Sequence, residues 1–166
     1  MEHAAVVQPS DVEVIGNEHV STHLLLDASS TGGALSTLEV RLDLGADGAA
    51  PHFHTRSSEF FYVIDGEIQI LLDDRIVTVG AGGSAVVPRR MTHAFGAAPG
   101  TSARLLIALT PGVERFDYFR LLGRIQDGTA TLADLAASQE LYDNHFVDAP
   151  NWWQERTAGR TVAAQA

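Results

Sequence analysis

The sequence predicts an all-β barrel or sandwich followed by two helices, and three observations support this fold class. From about Thr22 to Thr110 the chain consists of short apolar segments separated by turn-forming residues, as in β-sandwiches and barrels. In the segment "LEVRLDL", apolar and polar residues alternate with a period of two, which is typical of a strand with one buried face. After Pro111 the spacing of apolar residues becomes helical.

The first part of the chain contains enough candidate strands to close a small barrel. Two strands are predicted at "STHLLLDA" and "ALSTLEVRLDL". Four more are predicted between Ser58 and Pro88, where "DG", "DD" and "GAGG" mark hairpin turns. "HAFGA" and "ARLLIALT" complete the set. Residues 1–110 are therefore predicted to form the barrel together with its N-terminal strands.

Two helices are predicted in a C-terminal extension, residues 111–155, which we expect to pack on the barrel. The first spans Gly112–Gly123 and carries an aromatic stripe at helical spacing. The second spans Thr131–Tyr142 and begins with a capping box at "TLAD". Residues 156–166 have little to bury and are predicted to be a flexible tail.

Composition excludes several functional classes. The 166 residues carry a formal net charge of −10 and no basic run, which argues against nucleic-acid binding. There is no cysteine, so disulfides, thiolate metal sites and cysteine nucleophiles are excluded. Apolar runs are far shorter than the ~20 residues of a membrane-spanning helix. Because the N-terminus also lacks a signal-peptide pattern, we expect a cytoplasmic protein without membrane association.

The stretch "PHFHTRSSEFFYVIDG" places three ionisable side chains at the start of an apolar strand. His52 and His54 point to one side of an extended chain, and the polar turn "TRSS" lets Glu59 re-enter the sheet on the same side. A carboxylate facing a barrel interior needs a partner, because an unpaired buried charge is costly. A divalent metal fits two imidazoles and a carboxylate. His93, on a separate predicted hairpin, can reach the same point.

These residues resemble the paired motifs of the cupin family. The first cupin motif is glycine, five residues, His-x-His, three or four residues, glutamate, six residues and glycine. His52, His54, Glu59 and Gly66 match it, while Ala46 occupies the position of the leading glycine.

The second cupin motif is glycine, five residues, Pro-x-Gly, two residues, histidine, three residues and asparagine. Gly82, Pro88 and His93 match it, and Arg90 and Ala97 replace the second glycine and the asparagine. The resemblance implies a double-stranded β-helix, the cupin jelly-roll barrel. Its family metal ligands correspond here to the four residues His52, His54, Glu59 and His93.

The extension adds a second resemblance, to single-domain bacterial cupins of the quercetin dioxygenase type. It implies a dioxygenase that acts on an enol-bearing aromatic molecule, flavonol- or polyketide-like, with dioxygen as co-substrate. Glu59 would be both a metal ligand and the base that takes the substrate's hydroxyl proton. Two alternatives stay open: a redox-neutral polyketide cyclase or isomerase with the metal as Lewis acid, and a small-molecule binder without catalysis.

Six apolar residues are candidates for the substrate pocket because they lie in or near the motifs or on the first helix. They are Phe53, Phe61, Met91, Phe95, Phe116 and Phe119. The first helix either forms a lid or pocket wall, or only covers exposed barrel surface.

The sequence does not select the metal. Three histidines and a carboxylate suit Mn, Fe, Co, Ni or Zn, and we expect one such ion per chain. The cupin resemblance also implies a homodimer, formed through barrel faces or through N-terminal strands such as "VSTHLLLDA".

Overall fold

The computed structural model describes residues 4–163, and its main element is an array of antiparallel strands. The strands are β1 Glu13–Gly16, β2 Val20–Leu26, β3 Ser36–Leu42, β4 His52–Phe53, β5 Ser58–Leu72, β6 Arg75–Gly80, β7 Ser84–Val87, β8 His93–Ala97, β9 Ala103–Thr110 and β10 His145–Phe146. The α-helices are α1 Phe116–Gln126, α2 Leu132–Ala137, α3 Gln139–Tyr142 and α4 Pro150–Ala163. Short 3-10 helices lie at Pro9–Asp11 and Ala28–Thr31.

The strands form one continuous antiparallel array in the order β1-β2-β3-β9-β5-β8-β4-β10, with β6 and β7 also paired to β5. The first half of β5 pairs with β9 and β7, and the second half pairs with β8 and β6. The array thus folds on β5 into two layers that share one core. This is the jelly-roll barrel that the sequence predicts.

Strand β5 continues without reversal through Asp65-Gly66, where the sequence predicted a hairpin turn, so the prediction of a turn at this position is wrong. The register with β9 shifts between Val63 and Asp65, which is a bulge rather than a reversal. Gly66 has φ +71°, and a Cβ there would overlap with the carbonyl oxygen of Ser102. The glycine is therefore required by a bend and a close backbone approach.

The core lies between the two layers and follows the predicted period of two. In β3, Leu38, Val40 and Leu42 are buried, whereas Leu44 lies beyond the strand and is exposed. They pack with inward-facing residues of the other strands in one cluster, which includes Phe61, Val63, Ile68, Ile70, Phe95, Leu105, Ile107 and Leu109. Glu59 continues the inward row of β5, and this alternation is why the carboxylate is buried.

The C-terminal extension contains more elements than the two predicted helices. The first helix begins at Phe116, because the carboxylate of Asp27 accepts hydrogen bonds from the backbone N–H groups of Arg115 and Phe116. The second predicted helix has the expected capping box at its start but is interrupted at Ser138, which separates α2 from α3. Strand β10 then pairs with β4 and joins the extension to the barrel.

The predicted flexible tail is instead part of α4 as far as Ala163, and residues 164–166 lie outside the described part of the chain. Arg156 is buried and donates to the Asp47 carboxylate, to the Gln69 side chain and to the carbonyl of Ala97. Trp152 is fully buried in the same helix. The sequence suggested little burial here because residues 156–166 contain few large apolar side chains. In the structure the helix is anchored by the polar contacts of Arg156 as well as by Trp152.

No helix within residues 4–163 is long and apolar enough to cross a bilayer. Both edges of β2 are already paired, with β1 and β3, which leaves β1 as the outer strand on that side of the array. Dimerisation through an N-terminal strand therefore has to use β1, and the homodimer stays a prediction.

We expect Gly66→Ala to destabilise the barrel more than Gly82→Ala. Both glycines have positive φ, but nothing lies within 4 Å of a Cβ at Gly82. The control should cost about 1–2 kcal/mol of left-handed backbone strain. Gly66→Ala should add about 1–3 kcal/mol for the overlap with Ser102. Urea unfolding measures both values, and equal losses would contradict the close approach.

Candidate metal centre

Four side chains from different parts of the barrel converge at one buried point. The candidate ligand atoms of His52, His54, Glu59 and His93 all lie within 4.8 Å of one another, and all four residues are buried. Strand pairing explains the convergence, because His52 of β4 lies opposite His93 of β8. Their ring centroids are 4.2 Å apart. The structure therefore brings together the four donors that the sequence predicts.

Each imidazole in the cluster is oriented by a backbone carbonyl behind it. The Nδ1 atoms of His52, His54 and His93 lie 2.8, 2.5 and 3.0 Å from the carbonyl oxygens of Ala50, Asp143 and Met91. A carbonyl oxygen only accepts, so each Nδ1 carries a proton and donates it. In a neutral ring the lone pair is then on Nε2, the tautomer that metal-binding histidines present to an ion.

The carboxylate of Glu59 completes a donor set that fits a divalent cation. Its Oε2 lies 2.6 Å from His93 Nε2 and 3.0 Å from His54 Nε2. A single divalent ion would compensate the carboxylate and use all four donors at once. Imidazole nitrogens and a carboxylate oxygen suit Mn, Fe, Co, Ni and Zn.

The electrostatics of the cluster favour the metal-binding forms of His52 and Glu59. Burial, followed by the neighbouring His93 and His54 rings, lowers the pKa of His52 well below its ordinary value, so this ring is neutral at pH 7. Burial raises the pKa of Glu59, but hydrogen bonds with His54 and His93 outweigh it and hold the net pKa well below the ordinary value. Glu59 is therefore a carboxylate at pH 7, the form that binds a cation and can accept a proton.

A cavity of about 290 Å³ opens onto the cluster, and His52 and Glu59 form part of its wall. The barrel side of the wall is mostly apolar and includes Val20, Thr22, Leu38, Val40, Phe95 and Ile107. The extension closes the other side with Arg115, Tyr118, Phe119, Leu122, Asn144 and Phe146. The first helix is thus a pocket wall and not only a cover for barrel surface.

Two of the six predicted pocket residues, Phe95 and Phe119, line this cavity. Phe116 does not, because it lies on a different face of α1, with the Arg120 guanidinium 5.8 Å from its ring centre. Contact of Phe95 or Phe119 with a substrate stays a prediction.

The other three predicted pocket residues lie around the metal ligands rather than on the cavity wall. Phe61 is fully buried, with its ring centre 6.2 Å from that of His93. Phe53 stacks on His145 with ring centres 5.0 Å apart. Met91 packs against the core and accepts the hydrogen bond from His93 through its carbonyl. At these positions the three residues can hold the candidate metal ligands and their neighbours in place.

Sequence reasoning missed Asp143, which connects the extension to the metal cluster. Its carbonyl accepts the bond from His54 Nδ1, and its carboxylate accepts from Thr55 N, Thr55 Oγ1 and Arg56 N at 2.6–2.8 Å. Burial raises the pKa of Asp143, but the hydrogen bonds from Thr55 and Arg56 outweigh burial and hold the net pKa below its ordinary value. Asp143 is therefore ionised at pH 7. Asp143 also has φ +53°, and the "YDN" turn after a predicted helix was the available signal.

Two further cavity residues were missed, Arg115 and Asn144. Both are almost completely buried, at 3 % and 2 % exposure. The signal for Arg115 was a cation inside the aromatic stripe "RFDYF", where a solvated face was the simpler interpretation.

We expect His54→Ala and His93→Ala each to remove most of the bound metal, because each loses one of four buried donors. His23→Ala is the matched control, since His23 lies on β2 outside the cluster. Elemental analysis of the purified proteins measures metal per chain. Full occupancy in both ligand variants would show that the ligands are assigned wrongly.

We expect Asp143→Ala to weaken metal binding by roughly 10–100-fold, the usual effect of losing a group that orients a ligand. The substitution keeps the carbonyl but releases the 55–56 backbone, so His54 loses its fixed position. Asp148→Ala, at an exposed site five residues further on, is the control. Competition with a chelator gives the affinities, and unchanged affinity in Asp143→Ala would contradict this role.

Comparison with known proteins agrees with the barrel and its motifs. Residues 38–109 match the cupin domain family. The chain is 26 % identical to protein SchB of Streptomyces halstedii over 127 residues, which are 76 % of this chain and 92 % of SchB. It is 28 % identical to polyketide synthase CurC of Streptomyces cyaneus over 93 residues, 48 % of this chain and 60 % of CurC.

Solved structures share the fold at low sequence identity. A RmlC-like cupin from Shewanella frigidimarina matches with a TM-score of 0.55 and 22 % identity, over 71 % of this chain and 99 % of that one. The polyketide cyclase RemF of Streptomyces resistomycificus matches with a TM-score of 0.54 and 22 % identity, over 66 % and 80 %. With its two motifs, its jelly-roll barrel and its buried group of three histidines and a glutamate, the chain has the cupin fold, and its residues 38–109 match the cupin domain family.

Proposed function

We propose that this protein is a metal-dependent enzyme that acts on a flat, enol-bearing aromatic or polyketide-like small molecule. The observation that carries the proposal is that His52 and Glu59 belong both to the four-donor cluster and to the cavity wall. A small molecule in the cavity therefore lies beside the metal position. Mostly apolar walls with a few polar groups are typical of small-molecule sites.

A redox-neutral cyclisation or isomerisation is the reaction that the comparisons favour. The relative CurC is named as a polyketide synthase, and RemF, which shares the fold, is named as a polyketide cyclase. In such a reaction a bound divalent ion supplies Lewis-acid polarisation of a carbonyl or enol oxygen.

A dioxygenase is the second candidate, and the ligand set is the observation that favours it. The three imidazoles and the carboxylate would hold Fe or Ni, which would supply the activation of dioxygen beside the cavity.

The chain's own residues have defined parts in either reaction. The apolar walls hold a flat substrate and exclude water. Burial raises the pKa of Tyr118 to about 12, so its phenol keeps its proton at neutral pH and can donate a hydrogen bond. Glu59 Oε2 faces the imidazoles, which leaves Oε1 as the oxygen that takes and returns the substrate's hydroxyl proton. Its low pKa favours the return of that proton.

The dependence of turnover on dioxygen distinguishes the two candidate reactions. Metal-loaded protein is incubated with a panel of flavonols and aromatic enols in air and under argon, with an oxygen electrode and product mass spectrometry. A redox-neutral reaction should proceed at equal rates in both atmospheres, and its product should contain no oxygen atom taken from dioxygen. Turnover that requires air would favour the dioxygenase, and saturable binding without turnover would favour a binding protein.

We expect Glu59→Gln to retain substantial metal and to lose roughly 10²–10⁴ of the turnover rate, because a positioned general base is removed. The glutamine keeps one oxygen ligand, and three imidazoles still hold the ion. Glu67→Gln, an exposed position on the same strand, is the control. The rate is expressed per bound metal, and a normal rate in Glu59→Gln would exclude Glu59 as the base.

A further inference from the structure

Residues 4–163 contain two buried arginines, and their surroundings differ sharply. The guanidinium of Arg156 donates to the Asp47 carboxylate, to the Gln69 side chain and to three backbone carbonyls. Its charge is compensated and all its donor nitrogens are used. Arg156 is therefore explained by its role in anchoring α4.

Arg115 is not explained in this way. Its guanidinium donates to the carbonyl of Tyr142 at 2.8 Å and to Asn144 Oδ1 at 3.3 Å, and both acceptors are neutral. Within residues 4–163 it forms no ion pair, and its Nε is buried without a hydrogen-bond partner. A buried cation that lacks both a counter-ion and a full set of acceptors is costly.

Asn144 adds a second unused donor beside the first. Its Oδ1 is taken by Arg115, while its Nδ2 is buried and without a partner in the described chain. Both side chains belong to the cavity wall that also contains His52 and Glu59. The ring centre of Tyr118 lies 4.9 Å from the guanidinium carbon of Arg115. Two neighbouring polar side chains, one of them charged, thus lie together in the cavity wall.

We propose that Arg115 and Asn144 form a subsite for an anionic oxygen of an aromatic substrate, such as a carboxylate or an ionised phenol. Such an oxygen supplies the missing negative charge and accepts from the Arg115 guanidinium and the Asn144 amide. Charge-assisted hydrogen bonds of this kind are stronger than neutral ones, and more so in a dry cavity. The proposal rests on the proposed function for the nature of the substrate, but it concerns binding rather than turnover.

Equilibrium binding of two probes to the metal-loaded protein tests the subsite. The probes are 6-hydroxy-2-naphthoate and 2-naphthol, which share the ring and the hydroxyl group and differ in the carboxylate. We expect the affinity of the wild-type protein for the naphthoate to exceed its affinity for 2-naphthol by at least about 10-fold. This is the usual effect of a hydrogen bond to a charged group. Arg115→Gln should abolish this preference. Arg124, an exposed arginine on α1, is the control, and Arg124→Gln should retain the preference.

Asn144→Asp provides a second test that does not remove the guanidinium. The new carboxylate, next to Arg115, should pair with it, raise the unfolding temperature and abolish the preference for the naphthoate. If Arg115 is purely structural, Asn144→Asp changes stability and leaves the preference intact. Metal content is measured for every variant, so that loss of the ion is not mistaken for loss of the subsite.

Several results would overturn the subsite: equal affinities in the wild-type protein, no binding of either probe, or an intact preference in Arg115→Gln or Asn144→Asp. Failure of the proposed function looks different. In that case the preference is present and depends on Arg115, but no compound is turned over in air or under argon.

Discussion

The site depends on the burial of a carboxylate together with three imidazoles inside a barrel. Glu59 is buried by the same strand alternation that buries Phe61 and Val63, so the charge cannot be moved to solvent without changing the strand's register. Burial alone would favour the protonated acid, and the contacts with His54 and His93 reverse that preference. One divalent ion among these donors would compensate the carboxylate and would take up the imidazole lone pairs, which would lower the cost of burying the cluster in an apolar core.

The extension completes this arrangement rather than merely covering it. The barrel strands supply the four donors, but the carbonyl that orients His54 belongs to Asp143, beyond α3. The same stretch supplies Asn144 to the cavity wall, while α1 and the residue before it supply Arg115 and Tyr118. A substrate held in the cavity would therefore contact the barrel on one side and the extension on the other. The position of His54 and the cavity wall would thus both depend on the two residues between α3 and β10, Asp143 and Asn144.

Three of the candidate ligands, His52, His54 and Glu59, could be predicted because strands project alternate residues to one face. The assignment of His93 as the fourth followed from the resemblance to the second cupin motif. The bend of β5 could not be predicted, since a glycine with positive φ serves a hairpin or a bulge equally well, and only the distant Ser102 backbone decides between them. Arg156 was missed because hydrophobic patterning does not register polar burial, and its partner Asp47 lies 109 positions away. Arg115 was missed for the same reason, since an arginine among aromatic residues is usually solvated.

A cobalt titration of metal-free protein tests whether the four buried side chains hold one divalent ion. Visible absorption reports the ligands around Co²⁺, and thermal unfolding reports the coupling of binding to the fold. We expect saturation at one Co²⁺ per chain, a spectrum typical of nitrogen and oxygen ligands, and an unfolding temperature that rises with free Co²⁺. Non-saturating binding with an unchanged unfolding temperature would contradict this expectation.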